Sequence, residues 1–194
     1  MYQEHEGELF SSITQKGVRI EDRSFTDCEF VDCVFEDLQL VNITFLDCAF
    51  SNCQFNQVSG FGSRMRSSKF TDCTLKTINW SQWASGSSFY DPFTLLQNCK
   101  LRYVQFTEMN LNRFHFSGCE ITDSLFGDCK LASADFRGCN LERTEFFRCD
   151  IEKADFRDAL GYQVDIMNCK LKGAKFSVPE AINLLGGLGI KLEY

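Results

Sequence analysis

Large apolar residues recur at every fifth position along most of this chain, and each of them is termed a centre. The first run of centres is Phe25, Phe30, Phe35, Leu40, Phe45, Phe50, Phe55, Phe70, Leu75 and Trp80. The second run is shifted by one position and comprises Leu96, Leu101, Phe106, Leu111, Phe116, Ile121, Phe126, Leu131, Phe136, Leu141, Phe146, Ile151, Phe156, Ile166, Leu171 and Phe176. A second apolar or small residue lies two positions before each centre, and residues two apart on an extended strand point to the same face. The period of five therefore predicts a short extended step followed by a turn, with both residues of the step facing inward.

Every fourth step along the chain carries a similar centre, which indicates that four steps close one coil. Phe116, Phe136, Phe156 and Phe176 form one such column, and Leu111, Leu131, Ile151 and Leu171 form another. Strands of successive coils would then stack about 4.8 Å apart. The pattern predicts an all-β fold, a four-sided parallel β-helix, as a single domain over residues 1–194.

The period breaks in two places. Gly, Ser and Pro are frequent across 81–92 and no period is visible there, so a loop extruded over 81–95 is expected between coil blocks at about 18–80 and 96–178. The loop carries Trp83, Phe89 and Tyr90. These aromatic side chains either contact a partner or fold back onto the coil and pack against Trp80. A weaker break at 60–66 is interpreted as a bulge or a shorter loop.

The C-terminal segment 179–194 differs from the repeat. Ser177 as N-cap, Pro179 and Glu180 are typical of a helix start, and the helix is expected to end at about Leu185, before Gly186-Gly187. A strand is expected over Leu188–Tyr194. The segment either covers the open end of the coil, whose strand edges are unpaired, or forms a dimer interface through Ile182, Leu185, Leu188 and Ile190.

All eleven cysteines lie at the inward position two before a centre. A zinc site favours short Cys-x-x-Cys pairs and a disulfide framework favours small secreted chains. Neither pattern is present, so the cysteines are interpreted as small buried apolar residues that stay reduced.

The formal charge of −7 is concentrated at one end of the chain. Residues 1–60 hold 11 acidic and 3 basic residues, whereas 61–194 hold 16 and 17. The segment Phe25–Gly60 has six acidic residues and no basic one, a density of about 0.7 charges per Å of coil against about 0.6 for duplex DNA. This acidity argues against nonspecific nucleic-acid binding and is compatible either with DNA mimicry or with a simple role in solubility.

No residue pattern points to catalysis. His5 is expected in an irregular N-terminus and His115 at an outward position, and neither a phosphate-binding glycine loop nor a cluster of metal ligands is found. We therefore expect no enzyme activity, no cofactor and no metal. The sequence also lacks a signal peptide and a membrane span, so the cytoplasm is the expected compartment.

Four triplets resemble the consensus of the pentapeptide-repeat family, in which Ala or Cys precedes Asp or Asn and then Leu or Phe: Ala134-Asp135-Phe136, Cys139-Asn140-Leu141, Cys149-Asp150-Ile151 and Ala154-Asp155-Phe156. The resemblance covers roughly residues 18–178 and implies a right-handed quadrilateral β-helix. The chain is most similar to the quinolone-resistance (Qnr) and microcin-immunity proteins of that family. The shared features are two coil blocks, a loop between them, the segment Pro179–Leu185 and the apolar Leu188-Gly189-Ile190.

That resemblance implies a DNA-shaped homodimer that binds a type II topoisomerase, gyrase or topoisomerase IV, and protects it from quinolones or peptide toxins. It implies partner contacts through the loop and the acidic coils, at Trp83, Ser85, Gly86, Phe89, Tyr90, Asp91, Asp27, Asp32, Glu36, Asp37 and Asp47. The more basic second half departs from a uniformly acidic mimic, so a bound surface that leaves the DNA in place fits as well. The rival interpretation is a repeat scaffold for an unrelated protein partner.

Overall fold

The computed structural model describes residues 2–83, 92–116 and 118–188. The chain divides into two compact units, Met1–Gln105 and Phe106–Tyr194, and each is described by itself. Among the described residues, no helix is both long and apolar enough to cross a bilayer.

Both units consist of short parallel strands, as the period of five predicts. The strands from Gln3 to Arg102 are β1 (Gln3–Glu6), β2 (Leu9–Ser11), β3 (Thr14–Lys16), β4 (Arg19–Thr26), β5 (Glu29–Val31), β6 (Val34–Leu46), β7 (Ala49–Ser51), β8 (Gln54–Phe61), β9 (Arg64–Arg66), β10 (Ser68–Thr71), β11 (Thr74–Lys76), β12 (Phe93–Gln97) and β13 (Lys100–Arg102). The remaining strands are β14 (Gln105–Thr107), β15 (Glu120–Thr122), β16 (Leu125–Gly127), β17 (Asn140–Phe147), β18 (Asp155–Phe156), β19 (Leu160–Val164) and β20 (Lys175–Phe176). Two 3-10 helices span Trp80–Trp83 and Glu180–Leu188. The parallel β-solenoid is confirmed.

Successive coils of the first unit stack with the offset of four steps that the sequence predicts. Phe25 pairs with Phe45, and Phe45 with Met65, in parallel register. The coil already begins at Gln3, where β1 pairs with β4, so the predicted start at about residue 18 is wrong. His5 is consequently not in an irregular segment, because its ring stacks on Phe25 at 5.0 Å between centroids. The first coil carries polar side chains such as His5 and Gln15 at inward positions, so the pattern of apolar centres does not reveal it.

The interior is formed by stacked columns of side chains. In the second unit Phe136 stacks on Phe116 at 4.5 Å and on Phe156 at 4.8 Å between ring centroids. All eleven cysteines are free and buried, which confirms their interpretation as core residues. The Cys139 thiol donates to the Phe116 carbonyl at 3.2 Å, and burial raises the pKa of Cys139 to about 12.

A left-handed residue two positions after the centre turns the chain at nearly every corner. Asp27, Asp32, Asp37 and Asp47 have φ of 52°, 56°, 51° and 54°. Asp and Asn tolerate this conformation better than most residues, since their short polar side chains hydrogen-bond locally. These four aspartates therefore have a structural role at the corners as well as a charge.

The phase slip in the sequence arises from an insertion. Phe50 pairs with Phe70 four steps later, but Phe70 pairs with Leu96 and Leu75 with Leu101, so the coil between them is longer than the others. Residues 84–91 lie outside the described residues, but the predicted loop bounds of 81–95 are too wide, because Trp80–Trp83 is a 3-10 helix and Phe93–Gln97 a strand.

The predicted break at 60–66 is absent, since β8 and β9 continue the coil in register. Gly60 occupies a centre position without a side chain, and the indole of Trp83 fills that space. A Cβ atom on Gly60 would lie 3.0 Å from the Trp83 ring.

The last part of the second unit corrects two further predictions. Val164, rather than Ile166, follows Phe146 in its column, because the register shifts between Asn140 and Thr144. The C-terminal helix is confirmed in place but is of the 3-10 type and extends to Leu188. Glu180 does not complete a capping box; its Oε1 accepts the Gly161 N–H at 2.7 Å. The strand expected over Leu188–Tyr194 is incorrect at Leu188, and its remainder lies outside the described residues.

Candidate functional site

The acidic residues predicted to contact a partner are distributed over three corners of the first unit. Asp27 and Asp47 lie one coil apart and share one corner, Asp32 lies on the next corner and Asp37 on the third. All four are exposed. The backbone ladder fixes the shared corner, because the Asp27 N–H donates to Leu46 and the Asp47 N–H to the Arg66 carbonyl, at 2.9 and 3.0 Å.

The charges of these residues are compensated to different extents. The Glu36 carboxylate pairs with Lys16 at 2.9 Å, and Asp32 accepts a hydrogen bond from Asn52 Nδ2 at 2.7 Å. Within 2–83, 92–116 and 118–188, no ion pair joins Asp27, Asp37 or Asp47 to a basic side chain. The shared corner, which we term the acidic corner (Asp27 and Asp47), therefore presents two stacked carboxylates one coil apart.

Corners of the second unit pair acids with bases. Arg148 lies one coil after Asp128 and donates to its carboxylate at 2.8 Å, and Arg143 does the same to Asp123 at 3.2 Å. The period of five does not predict these pairs, although the sequence carries their signal: an acid is followed by a base at the same position of the next coil.

Next to the corners of this unit, Arg137 donates two parallel hydrogen bonds to Asp135, at 2.9 and 2.7 Å. This contact lowers the pKa of Asp135 to about 2, and Arg157 lowers the pKa of Asp155 in the same way. Several acids of the second unit are therefore paired with basic neighbours on the same surface.

The loop residues are only partly described. Trp83 is 3% exposed and packs against Phe45, so its indole belongs to the core instead of a partner-facing surface. For Trp83 the alternative that the aromatic side chains fold back onto the coil is correct. Ser85, Gly86, Phe89, Tyr90 and Asp91 lie outside the described residues.

The C-terminal residues predicted to form a dimer interface lie on the 3-10 helix. Ile182 is half-buried, whereas Leu185 and Leu188 are 37% and 47% exposed. Ile190 lies outside the described residues. Exposed leucines on a short helix form an apolar surface that a partner could cover.

Comparisons with known proteins agree with this architecture. A family model described as pentapeptide repeats, in eight copies, matches residues 124–160. No curated protein matches the sequence.

Two solved structures carry the comparison of folds. HetL from the cyanobacterium Nostoc sp. strain PCC 7120, a pentapeptide repeat protein involved in heterocyst differentiation regulation, is 13% identical over 90% of this chain and 86% of its own, with a TM-score of 0.60. A trypsin-treated form of QnrB1, a plasmid-mediated fluoroquinolone resistance protein, is 20% identical over 99% of each chain, with a TM-score of 0.52. Residues 124–160 are thus identified as pentapeptide repeats, and the chain has the fold of the solved pentapeptide-repeat proteins.

Proposed function

We propose that this protein is a non-enzymatic DNA mimic that binds gyrase or topoisomerase IV and protects it from quinolones or peptide toxins. The observation that carries the proposal is the acidic corner, where Asp27 and Asp47 stack without a basic partner among the described residues. Two carboxylates at a coil spacing of about 4.8 Å offer a stacked pair of negative charges to the basic surface on which a topoisomerase binds DNA. The similarity in fold to a fluoroquinolone resistance protein supports this target class.

Electrostatic attraction would contribute more to the rate and orientation of this association than to its affinity. Exposed charges steer encounter and fix orientation, and salt screens them over about 10 Å. We propose that the loop residues Ser85, Gly86, Phe89, Tyr90 and Asp91 add the direct contacts. Asp32, Glu36 and Asp37 would extend the negative field to the adjacent corners.

Neutralising the acidic corner is expected to weaken protection without unfolding the coil. Asn accepts the same left-handed conformation as Asp, so Asp27→Asn/Asp47→Asn keeps the corners and removes two charges. The protein concentration that restores half of gyrase supercoiling in the presence of a quinolone should rise roughly 3- to 10-fold. A deletion of residues 86–90 should reduce protection in the same assay.

Asp123→Asn/Asp128→Asn is the matched control, because it removes two corner aspartates that Arg143 and Arg148 already neutralise. Its protection should equal that of the parent protein. If the parent neither rescues nor inhibits supercoiling at about micromolar concentration, the topoisomerase proposal is wrong.

The second candidate is a pentapeptide-repeat scaffold that binds an unrelated protein. The paired acids and bases of the second unit favour it, because each such pair compensates a negative charge that mimicry would need. The similarity in fold to HetL, whose described role is in differentiation, supports the same alternative. A parent protein without effect on supercoiling would favour this candidate.

We also propose that two copies associate through Ile182, Leu185, Leu188 and Ile190. An apolar interface should survive high salt, since screening weakens contacts between charges and leaves apolar burial intact. Sizing at moderate and high salt should give twice the monomer mass. Leu185→Asp/Leu188→Asp should give monomers, whereas Phe61→Asp, at an exposed side chain of the first unit, should not. A monomer of the parent protein in both buffers would contradict this interface.

A further inference from the structure

The first unit has a cavity of about 470 Å³ at the end formed by its first coil. Its walls are mainly apolar and belong to the first three coils, with Phe10, Ile13, Ile20, Phe25, Phe35 and Phe45 among them. Phe25 and Phe35 are only half-buried, whereas Phe50 and Phe70 of the later coils are fully buried. The apolar core of the first unit therefore reaches solvent through this end.

Polar side chains surround that opening at positions that are apolar in later coils. His5 lies in the column of Phe25 and Phe45, and Gln15 lies in the column of Phe35 and Phe55. The volume lies within the range of small-molecule sites, which combine apolar walls with a few convergent polar groups.

Arg23 is the most unusual of these residues. It occupies the inward position two before a centre and pairs with Ile43, which is fully buried in the next coil. It is half-buried and lines the cavity. The other two basic residues of the lining have acidic partners: His5 Nδ1 lies 3.1 Å from Glu8, and Arg19 pairs with Glu21. For Arg23 no acidic partner is found in the part of the chain that the structure describes.

We propose that this end of the first unit binds an alkyl carboxylate, with the chain in the cavity and the carboxylate on the Arg23 guanidinium. A guanidinium fits a carboxylate with two parallel hydrogen bonds, and such a bond is stronger where water is partly excluded. The apolar walls stabilise the alkyl chain by removing it from water. This site is independent of the topoisomerase proposal, because it uses neither the acidic corner nor the C-terminal helix.

The chemistry makes the affinity depend on chain length and on the head group. Each methylene that enters the cavity should improve binding about fourfold until the space is filled. Decanoate should therefore bind about 15-fold more tightly than octanoate. Acetate, which has the head group without the chain, should not bind detectably.

Calorimetric titration of the full chain with decanoate and with decanol tests the assignment. Arg23→Gln should weaken decanoate binding about tenfold or more, because a charged hydrogen-bond partner is lost. The same variant should leave decanol binding unchanged. Lys76→Gln is the matched control, since it removes an exposed cation of the same unit away from the cavity.

Three results would overturn the site. Decanoate that fails to bind the parent protein at about 1 mM excludes it. Equal decanoate affinity of the parent and Arg23→Gln, with unchanged thermal unfolding of the variant, excludes the guanidinium as the head-group ligand. If Ile20→Asp lowers the oligomeric mass on sizing, a second copy of the chain covers the opening and the proposed ligand has no access.

Discussion

Replacing Phe136 by alanine is expected to lower the free energy of unfolding by about 3–5 kcal/mol. The Phe136 ring is fully buried and is sandwiched between Phe116 and Phe156, with centroids at 4.5 and 4.8 Å. Truncation removes both stacking contacts, and the coil cannot collapse around the cavity because backbone ladders hold each coil at its spacing. Urea unfolding followed by circular dichroism measures the loss.

Phe147→Ala provides the control from the same unit. Phe147 is 41% exposed and lies next to Phe146 of the interior, so the same chemical truncation occurs at the surface. Its effect should stay within about 1 kcal/mol. Similar losses for the two variants would show that the phenylalanine columns are not the main source of stability.

Replacing Gly161 by alanine is expected to cost about 3–4 kcal/mol. Gly161 has a φ of +72°, and a Cβ atom there would lie 2.6 Å from the Cα of Glu142. The clash is with backbone, which cannot rotate away, and it adds to the cost of the left-handed conformation. The change should also disturb the hydrogen bond from the Gly161 N–H to Glu180, which joins β19 to the C-terminal helix.

Gly138→Ala separates the two contributions. Gly138 has a similar φ of +66°, but nothing lies within 4 Å of an added Cβ atom. This variant should lose only about 1–2 kcal/mol, the cost of a left-handed residue. The expected difference between the variants is the steric part, and equal unfolding free energies would refute the close approach at Glu142.

The corners and the insertion show how far periodicity predicts this fold. The similarity of the centres at every fourth step predicted the interior columns of side chains and the pairing of strands between successive coils. The one-step shift of phase located an insertion, which the pairing of Phe70 with Leu96 confirms. The prediction of Ile166 as a centre is wrong because the period does not stay constant there. The coil that contains Gly161 is shorter than the others. Only the close approach of Gly161 to Glu142 and the pairing of Val164 with Phe146 reveal this change.

The candidate surface was less predictable than the fold. The sequence identified Asp27, Asp32, Glu36, Asp37 and Asp47 as acidic, but not which of them have partners. The charge of Glu36 is compensated by Lys16, one coil away, whereas Asp27 and Asp47 lie above each other at the same corner. Charge compensation across coils depends on which side chains the closed coil brings together, and that depends on register as well as composition.

The sequence by itself determined the four-sided coil, because inward apolar side chains at a fixed spacing leave few other ways to bury them. It also determined the corners from Asp22 to Asn52, because every left-handed residue there is Asp or Asn, which accept that conformation. Only the tertiary structure decided that Trp83 fills the space above Gly60, that Glu180 binds the Gly161 N–H, and that Arg23 stands at an open apolar end. These contacts join residues outside the repeating pattern, and the distances between such residues are set by the closed coil and not by their spacing in the chain.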